Sequence, residues 1–325
     1  MMPGSSGVRA AVTTVVAAAL ALATPASGGA RDGARGTGDP LPRSALRVQE
    51  ASGEWRTWWS SERAPSRWST APLAGAVRWE AGGAPGLEWG TIRVAGTGEA
   101  WRLRVILVRL DPARFHFDLA QRAARDGRGT WTIDSVPDEA ALALNAGQFA
   151  YAAPWGWIVR EGRELQPPGH GPLSAAFVVD SAGRPSIAPA ESIAALRARG
   201  AAHVAFQSYP AVLLGDGEVA PPLRAAGLGV NVAHRDARLA VGELHDGRIL
   251  IALTRFDAVG EALATLPFGL TAPETAALMG ALGARRAMLL DGGISAQLTL
   301  RDASGERRSW RGIRRVPLGL IARPR

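Results

Sequence analysis

Residues 287–298, AMLLDGGISAQL, constrain the fold of this chain more than any other stretch. An apolar run typical of a buried strand delivers one carboxylate, Asp291, onto the pair Gly292 and Gly293, and Ser295 follows. Paired glycines can adopt positive φ and carry no Cβ, so a ligand can approach the backbone closely. Their successive N–H groups can also surround an anion. Asp-Gly between apolar runs is equally a strong hairpin signal, so a tight hairpin is the structural alternative.

The first 30 residues are typical of a secretory signal peptide. Arg9 precedes a charge-free apolar run at 10–23, and small residues follow through Ala26, Gly28 and Ala30. The apolar run is short for a membrane span, and a cleavage region is expected near Ala26. We therefore expect an exported protein, periplasmic or extracellular, without an integral membrane segment after cleavage. An uncleaved anchor is the alternative.

Composition excludes several classes of function. The chain has no cysteine, which removes thiol nucleophiles, thiolate metal sites and a lipid-modified N-terminal cysteine. The net charge is +8, yet all 37 basic residues are arginines, and they are scattered rather than clustered with aromatic residues. Nucleic acid is therefore not an expected partner. The five histidines lack metal-ligand spacing, so neither a metal nor another cofactor is indicated, although a divalent ion held by Asp291 and backbone oxygens stays open.

Residues 31–86 differ in texture from the rest of the chain. They begin with a Gly/Pro/Arg-rich stretch typical of a linker, and a tryptophan-rich segment follows. Five of the eleven tryptophans lie in this segment: Trp55, Trp58, Trp59, Trp68 and Trp79. Their rings could stack on sugars, but packing against a neighbouring core is the favoured interpretation. Residues 87–325 are expected to form the main domain.

The main domain alternates short apolar strands with turns. Hairpins are predicted around the turns at 160–163 and 245–247. Thr271 and Glu274 form a capping-box pattern that opens a helix, which Gly283 should end. The predicted fold class is α+β, a mixed and largely antiparallel sheet core with a few helices packed on it.

Four polar clusters follow apolar strands, where a rigid sheet can present side chains to a cleft. In chain order they are Asn145 and Gly147; Gln207 and Ser208; Arg235, Asp236 and Arg238; and Asp291, Gly292, Gly293 and Ser295.

In this order the motifs resemble the phosphodiester glycosidase family. The resemblance covers about residues 87–322 and rests on four stretches of sequence. They are NAGQF (145–149), FQSYPAVLLGDG (206–217), ARLAVGELHDG (237–247) and LTAPETAALMGALGARRAMLLDGGIS (270–295). The resemblance implies an exported hydrolase that cleaves a sugar-1-phosphodiester of the N-acetylglucosamine type, or a related bond, in an envelope glycan or glycolipid. Its partner would be a carbohydrate or phosphorylated glycan.

Each motif then receives a chemical role. Asp291 is the expected nucleophile or general base, and Asp236 is the second carboxylate. Arg238 is the expected phosphate clamp, because a planar guanidinium offers two parallel hydrogen bonds, with Arg235 as the substitute. The remaining substrate-binding candidates are Asn145 and Gln207, toward sugar hydroxyls or an acetamido group, with Gly147, Ser208, Gly292, Gly293 and Ser295.

Structural alternatives stay open for these residues. Arg238 could pair with a surface acid, and Asp291 could cap its own turn. Glu274 is assigned to helix capping rather than catalysis. Leu239 and Ala296 stand where the family commonly has small or hydroxyl residues. They motivate a second hypothesis, a carbohydrate- or phosphopolymer-binding protein without catalysis.

Overall fold

The computed structural model describes residues 43–121, 131–150, 153–223, 231–258 and 263–325. The predicted signal peptide and most of the predicted linker lie outside these residues. The strands described are β1 (Ala45–Gln49), β2 (Trp55–Ser60), β3 (Glu80–Ala81), β4 (Leu87–Ala95), β5 (Leu103–Leu110), β6 (Phe115–Gln121), β7 (Leu142–Asn145), β8 (Gln148–Ala150), β9 (Ala153–Trp155), β10 (Ile158–Arg160), β11 (Arg163–Gln166), β12 (Ala175–Asp180), β13 (Pro185–Pro189), β14 (Ala202–Ser208), β15 (Ala211–Leu213), β16 (Leu239–Leu244), β17 (Ile249–Phe256), β18 (Ala284–Leu289), β19 (Leu298–Arg301), β20 (Arg307–Trp310) and β21 (Leu318–Pro324). The α-helices in the described part of the chain are α1 (Ile193–Ala198) and α2 (Ala272–Ala281).

The strands form three main antiparallel sheets and one small ribbon. The first sheet has the order β15-β18-β16-β17-β5-β4-β1-β2, with β3 paired to β4. The second has the order β11-β10-β14-β12-β13, and the third β20-β19-β7-β21-β6. Strands β8 and β9 form the ribbon. The broad α+β expectation agrees with this arrangement, although sheets dominate and the helices are short.

The first sheet is buried on both faces, which explains the continuous apolar run in β5. Val105 and Leu107 belong to one hydrophobic cluster, with residues of α2 and the tryptophan-rich segment. Ile106 and Val108 belong to a second cluster, with residues of the other two sheets. A strand covered on both faces needs no polar alternation.

The tryptophan-rich segment packs against the first sheet. Trp59 and Trp68 are buried in its cluster, and Trp58 and Trp79 pack against that cluster. Strand β1 pairs with β4 and so continues the sheet. Packing of the rings, the favoured interpretation, is confirmed for these four.

Local sequence signals predicted several elements correctly. The hairpins β10–β11 and β16–β17 form at the expected turns. Helix α2 begins with the predicted capping box: Thr271 Oγ1 accepts from the Glu274 N–H at 3.2 Å, and Glu274 Oε2 accepts from the Thr271 N–H at 2.9 Å. Gly283 follows the helix at φ +94°.

The hairpin alternative at Asp291 is wrong. Strand β18 lies in the first sheet, whereas β19 lies in the third, between β20 and β7. Residues 290–297 therefore cross from one sheet to another, with a short 3-10 turn at Gly293–Ser295. This crossing carries the central polar residues of the chain.

Candidate functional site

The crossing loop is held by backbone hydrogen bonds to two other elements. The N–H of Leu290 donates to the carbonyl of Leu239 at 2.9 Å, and that of Asp291 donates to the carbonyl of Gly147 at 3.1 Å. Gly147 adopts φ +66°, which favours glycine, and a Cβ there would lie 3.3 Å from the Gln207 carbonyl oxygen. These bonds place Asp291 beside the end of β7.

Asp291 is half-buried, and no described residue forms an ion pair with its carboxylate. Its Oδ2 atom has no hydrogen-bond partner among the described residues. The pKa of Asp291 is raised to about 7, mainly by burial and also by the nearby charge of Asp236, while Ser295 and Arg314 oppose the shift. A carboxyl group with a pKa near neutrality can be ionised or protonated at working pH, which suits acid–base or nucleophilic chemistry.

Asp236 supplies a second carboxylate next to the glycine pair. A Cβ on Gly293 would lie 2.8 Å from Asp236 Oδ1 and 2.9 Å from Oδ2, so the carboxylate rests directly on this glycine. A Cβ on Gly292 would meet the Ala237 carbonyl oxygen at 2.5 Å. Burial raises the pKa of Asp236, while the charges of Arg238 and His234 lower it. Within the described chain Asp236, too, has no ion pair.

Arg238 is the cation of this group. Its Nε donates to the Leu270 carbonyl at 2.7 Å, and its Nη2 donates to the His234 carbonyl. Burial lowers the pKa of Arg238, and the neighbouring charge of Asp236 opposes that effect. Its Nη1 makes no hydrogen bond to any described residue, so this side of the guanidinium is available to an anion.

Tyr209 is a candidate that sequence reasoning missed. Burial and the charge of Asp291 raise the pKa of its phenol, while Arg238 lowers it, so the hydroxyl stays a neutral donor. Its ring meets Trp155 edge-on at 5.7 Å between centroids. The signal was present, since Tyr209 stands between Ser208 and Pro210 within a quoted motif.

Asn145 lies at the site, but its side-chain amide forms hydrogen bonds with backbone groups of the protein. Its Nδ2 donates to the Asp291 carbonyl at 2.8 Å, and its Oδ1 accepts from the Gln297 N–H at 2.9 Å. The side chain is almost fully buried. It fixes the crossing loop to the end of β7.

The side chains of Gln207 and Ser208 are likewise hydrogen-bonded to other groups of the protein. Gln207 Oε1 accepts from the N–H groups of Trp157 and Gly169, both at 3.0 Å, and its Nε2 donates to the Leu173 carbonyl at 3.1 Å. Ser208 donates to the Leu289 carbonyl at 2.7 Å. Both side chains are buried, so their bonds connect β14 to its surroundings.

Arg235 forms a two-point ion pair with Glu274. The N–O distances are 2.6 and 2.8 Å, and the Glu274 side chain has no solvent exposure. Arg235 also donates to the Thr97 hydroxyl at 3.0 Å. The guanidinium therefore anchors the start of α2 to the segment before β16, while the charge of Arg238 acts on Asp236 and that of Arg314 acts on Asp291.

Leu239 and Ala296, the two residues that differ from those common in the family, are core residues. Both are fully buried in the second hydrophobic cluster, and Ser295 between the glycines and Ala296 is buried as well. A hydroxyl at position 239 or 296 would face the core. Their apolar character thus removes no contact from the carboxylate group.

Nothing in the described chain assembles a metal centre: no group of three or more His, Asp or Glu side chains is placed to hold an ion. The described helices include none long and apolar enough to cross a membrane.

Near Asp291, Arg314 lies over the ring of Phe149 at 4.7 Å from its centroid. The site is therefore built from two carboxylates, an arginine, a tyrosine and glycine backbone.

Enzymes that cleave glycosidic bonds usually use a pair of carboxylates. The family model described as phosphodiester glycosidase matches residues 138–323, more than half of the chain. The chain belongs to the phosphodiester glycosidase family, and the predicted resemblance is confirmed. No curated protein matches it.

One solved structure shows the same fold at low identity. The catalytic domain of zebrafish N-acetylglucosamine-1-phosphodiester alpha-N-acetylglucosaminidase, auto-inhibited by its pro-peptide, is 17% identical with a TM-score of 0.59. The match covers 78% of this chain and 91% of that one. A hypothetical protein from Synechocystis is 16% identical, covering 87% of this chain and 68% of that chain, with a TM-score of 0.48.

Proposed function

We propose that this protein is an exported hydrolase that cleaves a sugar-1-phosphodiester of the N-acetylglucosamine type, or a related glycosidic bond, in an envelope glycan or glycolipid. One observation carries the proposal: Asp291 and Asp236 are desolvated, without an ion pair in the described chain and electrostatically coupled, and the charge of Arg238 lies beside Asp236. Burying two such carboxylates is unfavourable for folding, so their retention indicates a chemical task. Family membership supports the class of reaction.

Asp291 in its ionised form is the proposed nucleophile or general base at the anomeric carbon. Desolvation makes its carboxylate more basic than an exposed aspartate. Asp236 is the proposed second carboxylate, and mutual repulsion favours a state in which only one of the two is charged. Its carboxylate rests against Gly293, two residues after Asp291.

Arg238 is the proposed phosphate ligand. Its Nε and Nη2 are held by carbonyls, which fixes the guanidinium and leaves Nη1 for a phosphate oxygen. A phosphate monoester leaves readily, so stabilising its charge matters more than protonating the leaving oxygen. Tyr209, as a neutral donor near both Asp291 and Arg238, is proposed to hydrogen-bond the same substrate.

We assign Asn145, Gln207 and Ser208 the role of positioning neighbouring residues of the site rather than binding the sugar. Their polar atoms already have hydrogen-bond partners in the protein. A Cβ on Gly147, Gly292 or Gly293 would lie 2.5 to 3.3 Å from protein atoms, so these glycines are proposed to allow close packing of the loop, and any contact with a sugar would come from their backbone. Binding without catalysis is not favoured, since the residues that suggested it, Leu239 and Ala296, are in the core.

The test is hydrolysis of an N-acetylglucosamine-1-phosphodiester beside an aryl N-acetylglucosaminide, with wild type, Asp291→Asn and Asp236→Asn. Asp216→Asn, on an exposed turn, is the matched control. Release from the diester by wild type and the control, abolished in both site variants, is the expected result. Equal turnover by Asp291→Asn would overturn the assignment.

A further inference from the structure

A groove outside the carboxylate site has no role in the proposed reaction. Its cavity volume is about 690 Å³, within the range of small-molecule sites. Residues of β3, β4, β5 and β20 line it, together with the end of β1 and the segment before β3. The residues that matter for its chemistry are Arg78, Glu80, Trp89, Thr91 and Trp310.

Two charged side chains of this groove are uncommitted. Arg78 and Glu80 are exposed, and neither forms an ion pair or a side-chain hydrogen bond within the described chain. By contrast, Arg93 and Arg104, which also line the groove, share the carboxylate of Asp257. Arg308 also lines the groove and interacts electrostatically with Glu80, but its ion pair is with Asp302, so the hydrogen-bonding atoms of Arg78 and Glu80 stay available to a ligand.

Two indoles form an aromatic wall between these groups. Trp89 and Trp310 are half-buried, with ring centroids 5.9 Å apart and planes tilted by 53°. The Nε1 atom of Trp89 is buried without a hydrogen-bond partner among described residues. This nitrogen is inaccessible to solvent, so a ligand in the groove would contact the ring faces rather than the indole N–H.

This combination matches a sugar better than an ion or a peptide. A sugar ring presents an apolar C–H face, which packs on an indole, and hydroxyls that both donate and accept. Arginine and glutamate together serve those two functions. Because the lining contains both charges, it would not favour a simple polyanion.

We propose that this groove binds an oligosaccharide segment of a glycan, at a site separate from the carboxylates. The groove is joined to the crossing loop by the buried Arg255. Its Nη2 donates to the Ala296 carbonyl at 2.6 Å and to the Trp310 carbonyl at 3.3 Å. Strand β20, which lines the groove, and the loop that carries Asp291 thus share an anchor.

The test is isothermal titration calorimetry of full-length Asp291→Asn, which separates binding from hydrolysis. The probes are chitotetraose, maltotetraose, cellotetraose and mannotetraose, with polyphosphate as an anionic comparator. Saturable binding of at least one tetrasaccharide is expected. Adding Arg78→Ala and Glu80→Ala together should weaken it about tenfold, through loss of hydrogen bonds.

The matched control adds Arg163→Ala and Glu191→Ala instead, which removes the same residue types from exposed positions outside the groove. Its affinity should equal that of Asp291→Asn. The proposal is overturned if no tetrasaccharide binds, if only polyphosphate binds, or if the groove variant binds as tightly as the control. Failure of the hydrolysis assay leaves this binding result intact, so the two proposals fail separately.

Discussion

The backbone of Gly293 lies against the carboxylate of Asp236, with no space for a side chain between them. A Cβ there would come within 2.8 Å of Oδ1, and Gly293 has φ +57°. Gly293→Ala should displace the carboxylate and reduce kcat/KM about 10- to 100-fold, because small displacements of reacting groups have large effects. Steady-state kinetics on the diester measures this.

Gly247→Ala is the control for backbone strain alone. Gly247 has φ +85° in the β16–β17 turn, and a Cβ there meets nothing within 4 Å. Both variants should lose stability, by about 1 kcal/mol or more, since alanine disfavours positive φ. Only Gly293→Ala should lose activity, and similar kinetics for the two would contradict the packing argument.

Asp291→Asn should stabilise the protein at alkaline pH. The pKa of Asp291 is raised from 3.8 to about 7 on folding, so the folded state binds a proton that the unfolded state has released between those values. The free energy of unfolding of wild type therefore falls as pH rises from about 4 to 7. Asparagine does not titrate, so the Asp291→Asn variant does not lose free energy of unfolding in this way.

At pH 8 the advantage of Asp291→Asn should be at most on the order of 4 kcal/mol, from about 1.4 kcal/mol per pKa unit. Urea unfolding at pH 4 and pH 8 measures it. Asp216→Asn should show no such pH-dependent gain. A wild-type protein as stable as Asp291→Asn at both pH values would exclude the raised pKa.

The rate should rise with pH in the same range. If ionised Asp291 attacks or removes a proton, kcat/KM increases about tenfold per pH unit below 7 and levels off above it. A pH–rate profile on the diester tests this, with enzyme stability checked at each pH. A maximum near pH 5 with a fall toward pH 7 would instead assign Asp291 the role of an acid.

Substitution of Arg238 should affect activity, whereas substitution of Arg235 should affect stability. Arg238→Met should lower kcat/KM on the diester about 100-fold and affect an aryl glycoside less, because only the diester carries phosphate. Arg235→Met leaves the buried Glu274 uncompensated and should lower the free energy of unfolding by about 3–5 kcal/mol. Equal losses on both substrates for Arg238→Met would favour a glycosidase without a phosphate requirement.

Asn145→Ala should act through the position of Asp291. It removes the hydrogen bonds to the Asp291 carbonyl and the Gln297 N–H, with a stability loss of about 1–3 kcal/mol. We expect kcat to fall while KM changes little. A raised KM with normal kcat would show instead that the amide binds the sugar.

Local signals gave correct predictions wherever the partners are close in sequence. The turn at 245–247 and the capping box of Thr271 and Glu274 were read correctly because each motif satisfies its own backbone groups. The four clusters could be proposed because polar residues that follow apolar strands are visible in the sequence, and their role as a functional site stays a prediction.

Long-range partners could not be predicted in the same way. Asp-Gly-Gly indicated a hairpin, but β19 pairs with β7, which lies about 150 residues earlier. The second role of Glu274, as partner of Arg235, depends on the fold that brings α2 to β16. The isolation of the Asp291 carboxylate is likewise a property of three-dimensional burial, so the sequence alone could not reveal its pKa.

The crossing loop has a consequence for folding kinetics. The bond from Asn145 to Asp291 joins residues 146 positions apart, and β18 and β19 belong to different sheets. Such long-range contacts form late, because their loop-closure entropy is recovered only when both sheets are in place. In refolding, the hairpin of the neighbouring strands β16 and β17 would therefore form before recovery of catalysis, and a truncated chain that ends before residue 298 would lack the pairing of β19 with β7 that completes the crossing.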